Sequence, residues 1–296
     1  MHNVRIRIFV LIASTSFAMA ESPPGTAPSQ LPPRTRSVEN VVVPIPSEIF
    51  GSLEKFAHSN WRVVERPELA DWRPHGNPEQ IALLLGVEIA EGFIAVEAED
   101  ATEVKSIGSV VLRLARGLGV RRSVLRRSRS ITEDASKNDW TDARKEWDGV
   151  LPDVKKGMVE LKSDQLAQLV SLGGWLRGTE ALSVLLLQDY SAEHAELLRQ
   201  PVLLDYLEKQ LAGMSSEIWT NPLIGRMQDG IREIRPLVVN GDVRISKSAI
   251  QKISVICERL VNAINRQRRN GTVQKLPRNG APQVHCGSCV SLYRKG

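Results

Sequence analysis

No HExxH, GxSxG, GxGxxG or P-loop pattern occurs in the 296 residues. The motifs that carry zinc hydrolysis, the nucleophile elbow, dinucleotide binding and phosphate cradling are therefore missing. Aromatic residues are scarce at 5%. Trp61, Trp72, Trp140, Trp147, Trp175 and Trp219 read as core anchors and helix-packing residues rather than as a platform for glycans, and their wide spacing argues for neither. The histidines beyond the first twenty residues (His58, His75, His194, His285) are few and scattered. Carboxylates are plentiful, but separation along a chain does not pick out an acid–base pair. No segment alternates apolar and polar residues as a half-buried strand does. No residue repeat of fixed period is visible either, which ranks a bundle above a solenoid.

What the first twenty residues hold is an export signal. Arg5 and Arg7 open it with no acidic residue, Ile6 to Ile12 form a short run that is apolar apart from Arg7, and Ala18-Met19-Ala20 supplies small residues one position apart. This is the three-part pattern of a secretory signal peptide, with cleavage expected between Ala20 and Glu21. The run is well short of the roughly 20 apolar residues of a spanning helix, and no cysteine follows to take a lipid. The expectation is a periplasmic or secreted bacterial protein. Losing Arg5 and Arg7 with no acid lowers the formal charge from +5 to +3. So mild an excess does not imply nucleic acid. The rest is long and apolar enough for one sizeable core, and a second domain is not required.

Residues 21–43 read as a linker. Pro23, Pro24, Pro28, Pro32 and Pro33 crowd its first part and make an extended tether that cannot bury a core. Val41-Val42-Val43 is a brief extended apolar piece at its end. Residues 44–268 read as one all-α domain, an antiparallel bundle of about eight to ten helices. Val104, Ile107, Val111, Leu114 and Leu118 recur at three and four, so they share one helix face. Asp100 with Glu103 makes a capping box before them and Gly119 closes the helix. Trp140, Ala143, Trp147, Val150, Val154, Met158 and Leu161 trace a second stripe behind Asp139, predicted as one helix kinked at Pro152. Ile250, Ile253, Cys257, Leu260 and Ile264 form a third stripe, with Ser248 and Gln251 at its start. Further helices are expected at 47–57, 78–98 (opened by Asn77-Pro78), 120–136, 163–189, 192–212 and 223–239, with 60–66 a short turn. Asn240-Gly241-Asp242 is a turn. Residues 269–296 contain no acid and read as a basic flexible tail, so both termini are expected to be disordered.

Two helices are apolar nearly all round, 78–98 and 163–189, and these are the ones a core would bury. Both carry charge: Glu88 and Glu91 in the first, Arg177 and Glu180 in the second. An unpaired buried charge is costly, so a meeting of Glu88 or Glu91 with Arg177 is expected. It reads either as a ligand-binding polar site between the helices or as a structural ion pair. The structural reading is favoured, with Gly174 and Gly178 allowing a close crossing.

The strongest charge cluster is Arg113, Arg116, Arg121, Arg122, Arg126, Arg127 and Arg129, of which Arg122, Arg126 and Arg129 share a helix face. These three are the candidate anion-binding residues, suited to phosphate or carboxylate groups of an envelope component. A solvated face, partly neutralised by Glu133, Asp134, Asp139 and Asp142, is the plainer reading. Cys257 reads as a buried thiol. Cys286 and Cys289 form a CxxC that would close a small disulfide loop in an oxidising compartment. His285 precedes that pair, whereas haem attachment needs histidine after it, and a metal site on this tail is a weak signal. No cofactor is expected. The function expected is a non-enzymatic binding or scaffold protein of the envelope, whose partner is another envelope protein or an anionic envelope component. The alternative is an enzyme or small-molecule carrier with a polar site between helices 78–98 and 163–189.

Overall fold

Asn77 accepts a hydrogen bond from the Gln80 backbone N–H at 3.0 Å, and Pro78 takes the first helical position, where no donor is needed. The helix so started, α1 (Pro78–Glu97), is buried at every residue from Gln80 to Val96. It belongs to a computed structural model that describes residues 37–38, 41–42, 56, 59–66, 77–239, 241 and 243–266. The leader at 1–20, most of the 21–43 linker, nearly all of the helix expected at 47–57 and the 269–296 tail with Cys286 and Cys289 lie outside the described residues. Ser37–Val38 and Val41–Val42 form a two-residue antiparallel pairing with Val38 in register with Val41.

The fold is an all-α multi-helix bundle. After α1 come α2 (Ala101–Gly117), α3 (Arg121–Ser136), α4 (Trp140–Asp148), α5 (Val150–Glu160), α6 (Asp164–Gln188), α7 (Pro201–Ala212), α8 (Pro222–Val238) and α9 (Lys247–Arg266). Single turns at Trp61–Val64, Ala192–Ala195, Glu196–Leu198 and Ser216–Trp219 complete the described residues. Helices α1 and α6 form the central pair. Helix α2 and α4 pack on α1, α5 and α9 pack on α6, and α8 joins α7 to α9. The three apolar stripes are buried as their spacing predicts apart from their ends, where Leu118 and Trp140 are half-buried, and Cys257 is fully enclosed in the α9 stripe. Leu161 departs from this pattern: it stands 53% exposed past the end of α5.

Three boundaries differ from the sequence-based expectation. The 140–161 segment is two helices separated at Gly149, and Pro152 lies in the first turn of α5. The first N–H groups of a helix have no intrahelical acceptor, so proline there costs little and the chain turns at Gly149 instead of kinking. The 192–212 segment is broken before Pro201, which starts α7 as its first residue. At the start of α9 the capping side chain is Ser246, whose hydroxyl accepts the Ala249 N–H at 3.1 Å, in place of Ser248.

Glycine decides how α1 and α6 meet. A Cβ placed on Gly86 would stand 1.9 Å from the Val170 carbonyl oxygen and 2.7 Å from the Gly174 nitrogen. One on Gly173 would stand 2.0 Å from the Leu83 carbonyl oxygen. Backbone lies on backbone at Gly86 and Gly173, with Gly174 beside them. Leu83 faces Gly173 while Glu91 reaches Arg177, so the two helices run in the same general sense. The 66 residues between Glu97 and Asp164 make that possible, whereas a short connection forces neighbours antiparallel. Helix α4 uses the same device: the Trp147 ring fills the place of a side chain at Gly92, and its indole N–H donates to the Ile89 carbonyl at 2.8 Å.

Gly173→Ala is expected to cost on the order of 3 kcal/mol in urea unfolding, because the new methyl meets main chain that has no rotamer to escape into. Gly225→Ala in α8, where a Cβ meets nothing within 4 Å, is expected to raise stability by up to about 1 kcal/mol in the same measurement.

Candidate functional site

The crossing of α1 and α6 places Glu91 against Arg177, with Glu180 one turn further along α6. Their side chains are 2%, 1% and 5% exposed. Arg177 Nε donates to Glu91 Oε2 at 2.6 Å, Nη2 donates to the Val64 carbonyl, and Nη1 lies 3.6 Å from Glu180 Oε2. Glu88, a turn earlier on α1, is fully buried. The carboxylate that meets Arg177 is thus Glu91.

A segment outside the helices completes the cluster. Trp61 and Val64 are buried, and the strand of chain to Arg66 lies over α1 and α6. The Arg66 backbone N–H donates to Glu91 Oε1, and its guanidinium donates to Glu180 Oε1. Arg62 Nη1 reaches Asp100 Oδ2 at 2.7 Å, at the N-cap of α2. Two carboxylates therefore face two guanidinium groups and a carbonyl, with the formal charges of Arg66, Glu91, Arg177 and Glu180 cancelling. Such a cluster clamps the 61–66 strap to the central helices. Its groups answer one another, which is the condition for holding charge in a core.

Titration reflects the same enclosure. Burial pushes the Glu180 carboxyl up, Arg177 and Arg66 pull it back, and Glu258 and Glu91 add to the rise. The Cys257 thiol on the neighbouring α9 is pushed up by burial first and by Glu180 second, which keeps it an inert thiol at neutral pH. Glu65 in the strap is raised from 4.5 to about 7, by burial first and then by Asp100, against Arg62, with Glu91 and Glu103 contributing.

The arginine-rich helix is α3. Arg127 is held: its Nε is 2.5 Å from Asp153 Oδ2, its Nη1 is 2.9 Å from Glu146 Oε2, and its guanidinium lies over Gly149. Arg122, Arg126 and Arg129 are exposed on the other side of the same helix. Of the acids that stood to neutralise them, Glu133 is taken up by an ion pair of its own and Asp139 caps α4. Glu133 pairs with Lys137 at 2.6 Å, Asp139 accepts the Asp142 N–H at 3.3 Å, and Asp134 is pushed up by burial and then by Asp142 and Asp139. Helix α3 also begins with Arg121-Arg122 behind Val120, with no capping side chain. Positive charge at a helix N-terminus opposes the helix dipole.

Among the described residues no group of three or more His, Cys, Asp or Glu is placed to hold a metal ion, and no helix is long and apolar enough to cross a membrane. The gap between α2, α3, α4 and α5 leaves about 10 Å³ for a water-sized sphere, room for one water at most. Sequence reasoning missed Arg66 and the Val64 carbonyl because neither belongs to a periodic element, and nothing local marks a loop arginine as a partner for α6.

The chain matches no family model, no curated protein and no solved structure.

Arg177→Met leaves Glu91 and Glu180 buried without their main counter-charge and is expected to cost about 3–5 kcal/mol at neutral pH. A carboxyl with a raised pKa favours the folded state while protonated and loses that contribution as pH rises through it. Losing Arg177 raises Glu180 further, so the penalty in chemical unfolding should shrink in mild acid. For Glu65 the sign is the same: its contribution is full below 4.5 and is lost as pH climbs through about 7. Glu65→Gln should therefore flatten the thermal midpoint between about pH 5 and pH 8 and be the more stable form at the alkaline end.

Proposed function

We propose that this chain is an exported helical binding or scaffold protein of the bacterial envelope, which meets an anionic envelope component through α3. The observation that carries the reading is the division of arginines on one helix. Arg127 is clamped by Asp153 and Glu146, while Arg122, Arg126 and Arg129 are turned outward and Glu133, an acid near them in sequence, is paired with Lys137. Guanidinium groups aligned over two turns match phosphate or carboxylate groups on a partner. Export is supported by the leader pattern of the first twenty residues.

The alternative, an enzyme or carrier with a polar site between α1 and α6, draws less support. The charges of Arg66, Glu91, Arg177 and Glu180 are paired with one another, one Arg177 donor is taken by the Val64 carbonyl, and the backbones there are in contact. That arrangement favours a structural clamp over a ligand site.

The test is retention of the purified chain by isolated envelope fractions. Reversing Arg122, Arg126 and Arg129 together to Glu should cut retention at least about tenfold, since each charge–phosphate contact is worth roughly 1 kcal/mol at an anionic surface. The melting temperature should hold, because Arg127 is untouched. Retention equal to the natural chain would remove α3 from the reading.

A further inference from the structure

We infer that the strap Trp61–Arg66 is a pH-operated latch, seated across α1 and α6 while Glu65 is protonated and released from an otherwise intact bundle when Glu65 ionises.

The strap is joined to the bundle mainly through side chains. Trp61–Val64 is a single turn, and Glu65 leaves it in an extended conformation. Arg62 reaches Asp100 at 2.7 Å, Arg66 reaches Glu180, the Val64 carbonyl accepts from Arg177, and the Arg66 backbone N–H donates to Glu91. Trp61 and Val64 are buried, whereas Val63 between them stands 47% exposed. The bundle beneath is held by contacts in which the strap has no part. Helices α1 and α6 lie backbone on backbone at Gly86 and Gly173, and Trp147 fills the space over Gly92. Arg177 stays 2.6 Å from Glu91 and 3.6 Å from Glu180 through those helices alone. A segment with few buried apolar side chains, attached to a core that is complete without it, opens at a lower cost than the domain unfolds.

Charge decides when it opens. The seat presents Glu91 from α1, Asp100 and Glu103 from the start of α2, and Glu180 from α6, against the single guanidinium of Arg177. The strap brings Arg62 and Arg66 to that excess of carboxylate. With Glu65 neutral its formal charge is +2, and with Glu65 ionised it is +1. The added negative charge faces Asp100, Glu91 and Glu103, with Arg62 as its opposing cation. Asp100 is held low, first by the Glu103 backbone N–H, and so remains a fixed charge near neutrality. Glu65 Oε1 is buried and accepts no hydrogen bond from any described residue. Seated, this carboxyl has no good place for a negative charge; released, it has water. Its rise from 4.5 to about 7, through burial first and then Asp100, expresses that difference. Below 4.5 Glu65 is protonated in both forms and favours neither. As pH climbs from 4.5 to about 7 the released form gains, and above about 7 the gain levels off because Glu65 is then ionised in both.

Hydrogen exchange of the full exported chain, read by mass spectrometry and corrected for the intrinsic pH dependence of amide exchange, tests this. Between pH 5 and pH 7.5 the peptide covering 59–66 should lose protection by at least about tenfold, then change little up to pH 8.5. Peptides from α1 and α6 should keep theirs throughout. In Glu65→Gln the strap peptide should hold its pH 5 protection across the whole range. The inference falls if the strap of Glu65→Gln opens with pH as the natural one does, if natural strap exchange is flat from pH 5 to pH 7.5, or if α1 and α6 lose protection together with the strap. Should Glu65→Gln fold poorly, the natural profile decides: a strap-only rise that levels off near pH 7 supports the latch, and one that keeps climbing to pH 8.5 overturns it.

Discussion

Main chain resting on main chain at Gly86, Val170, Gly173 and Gly174 is the constraint from which the rest of this bundle follows. Helices with ordinary side chains at their contact keep their axes 8–10 Å apart. Removing the side chain from both sides of a crossing brings the axes closer, and Glu91 and Arg177, on the turn beyond, come within direct hydrogen-bonding reach. The same crossing leaves neither helix a polar face. Both are buried almost end to end, so each must be covered from other directions, α1 by α2 and α4, α6 by α5 and α9. The periphery is amphipathic because the centre is not.

Charge in that centre is tolerated because it is distributed. A guanidinium can address three acceptors at once in a plane, and Arg177 uses Glu91, Glu180 and the Val64 carbonyl. A lysine would offer a point charge and no fork. The cluster also explains how the short segment Trp61 to Arg66, a single turn and the two residues after it, is held across two helices. Its buried Trp61 and Val64 side chains anchor it by apolar burial, and the ion pairs fix its direction. Glu65 is carried in with them and stands among Asp100, Glu91 and Glu103, so the strap has a carboxyl whose ionisation works against its own attachment.

The periodic part of this architecture was legible in the sequence, and so was the buried meeting of α1 with α6. Val104 to Leu118 and Ile250 to Ile264 declare their faces by spacing alone, and Asn77-Pro78 and Asp100 declare their caps. A run that is apolar on all sides declares only that it is central. It has no face, so it cannot say which of its residues touches which neighbour; hence Glu91 could not be told from Glu88, nor Gly86 and Gly173 be picked out as the points of closest approach. Breaks were misread where the stripe continued in phase across them. Trp147, Val150 and Val154 remain on one side whether the chain kinks at Pro152 or turns at Gly149, since the interior imposes the same requirement on both sides of the turn. Contacts of the strap were invisible for the opposite reason: a single arginine in a loop carries no period at all.

Guanidinium chemistry is thus used in two opposite ways by one fold. In the core, Arg177 and Arg66 meet carboxylates on fixed elements, and their specificity lies in geometry that only the folded chain supplies. On α3, Arg127 repeats that use against α4 and α5, and in doing so it ties down the helix that displays Arg122, Arg126 and Arg129. A flexible basic segment would gain affinity for an anion only by paying the entropy of ordering itself. A rigid helix has its charges already spaced, and the clamp at Arg127 is what keeps that spacing under the mutual repulsion of its neighbours. The arginine that binds nothing outside the protein is therefore the one on which the outward-facing three depend.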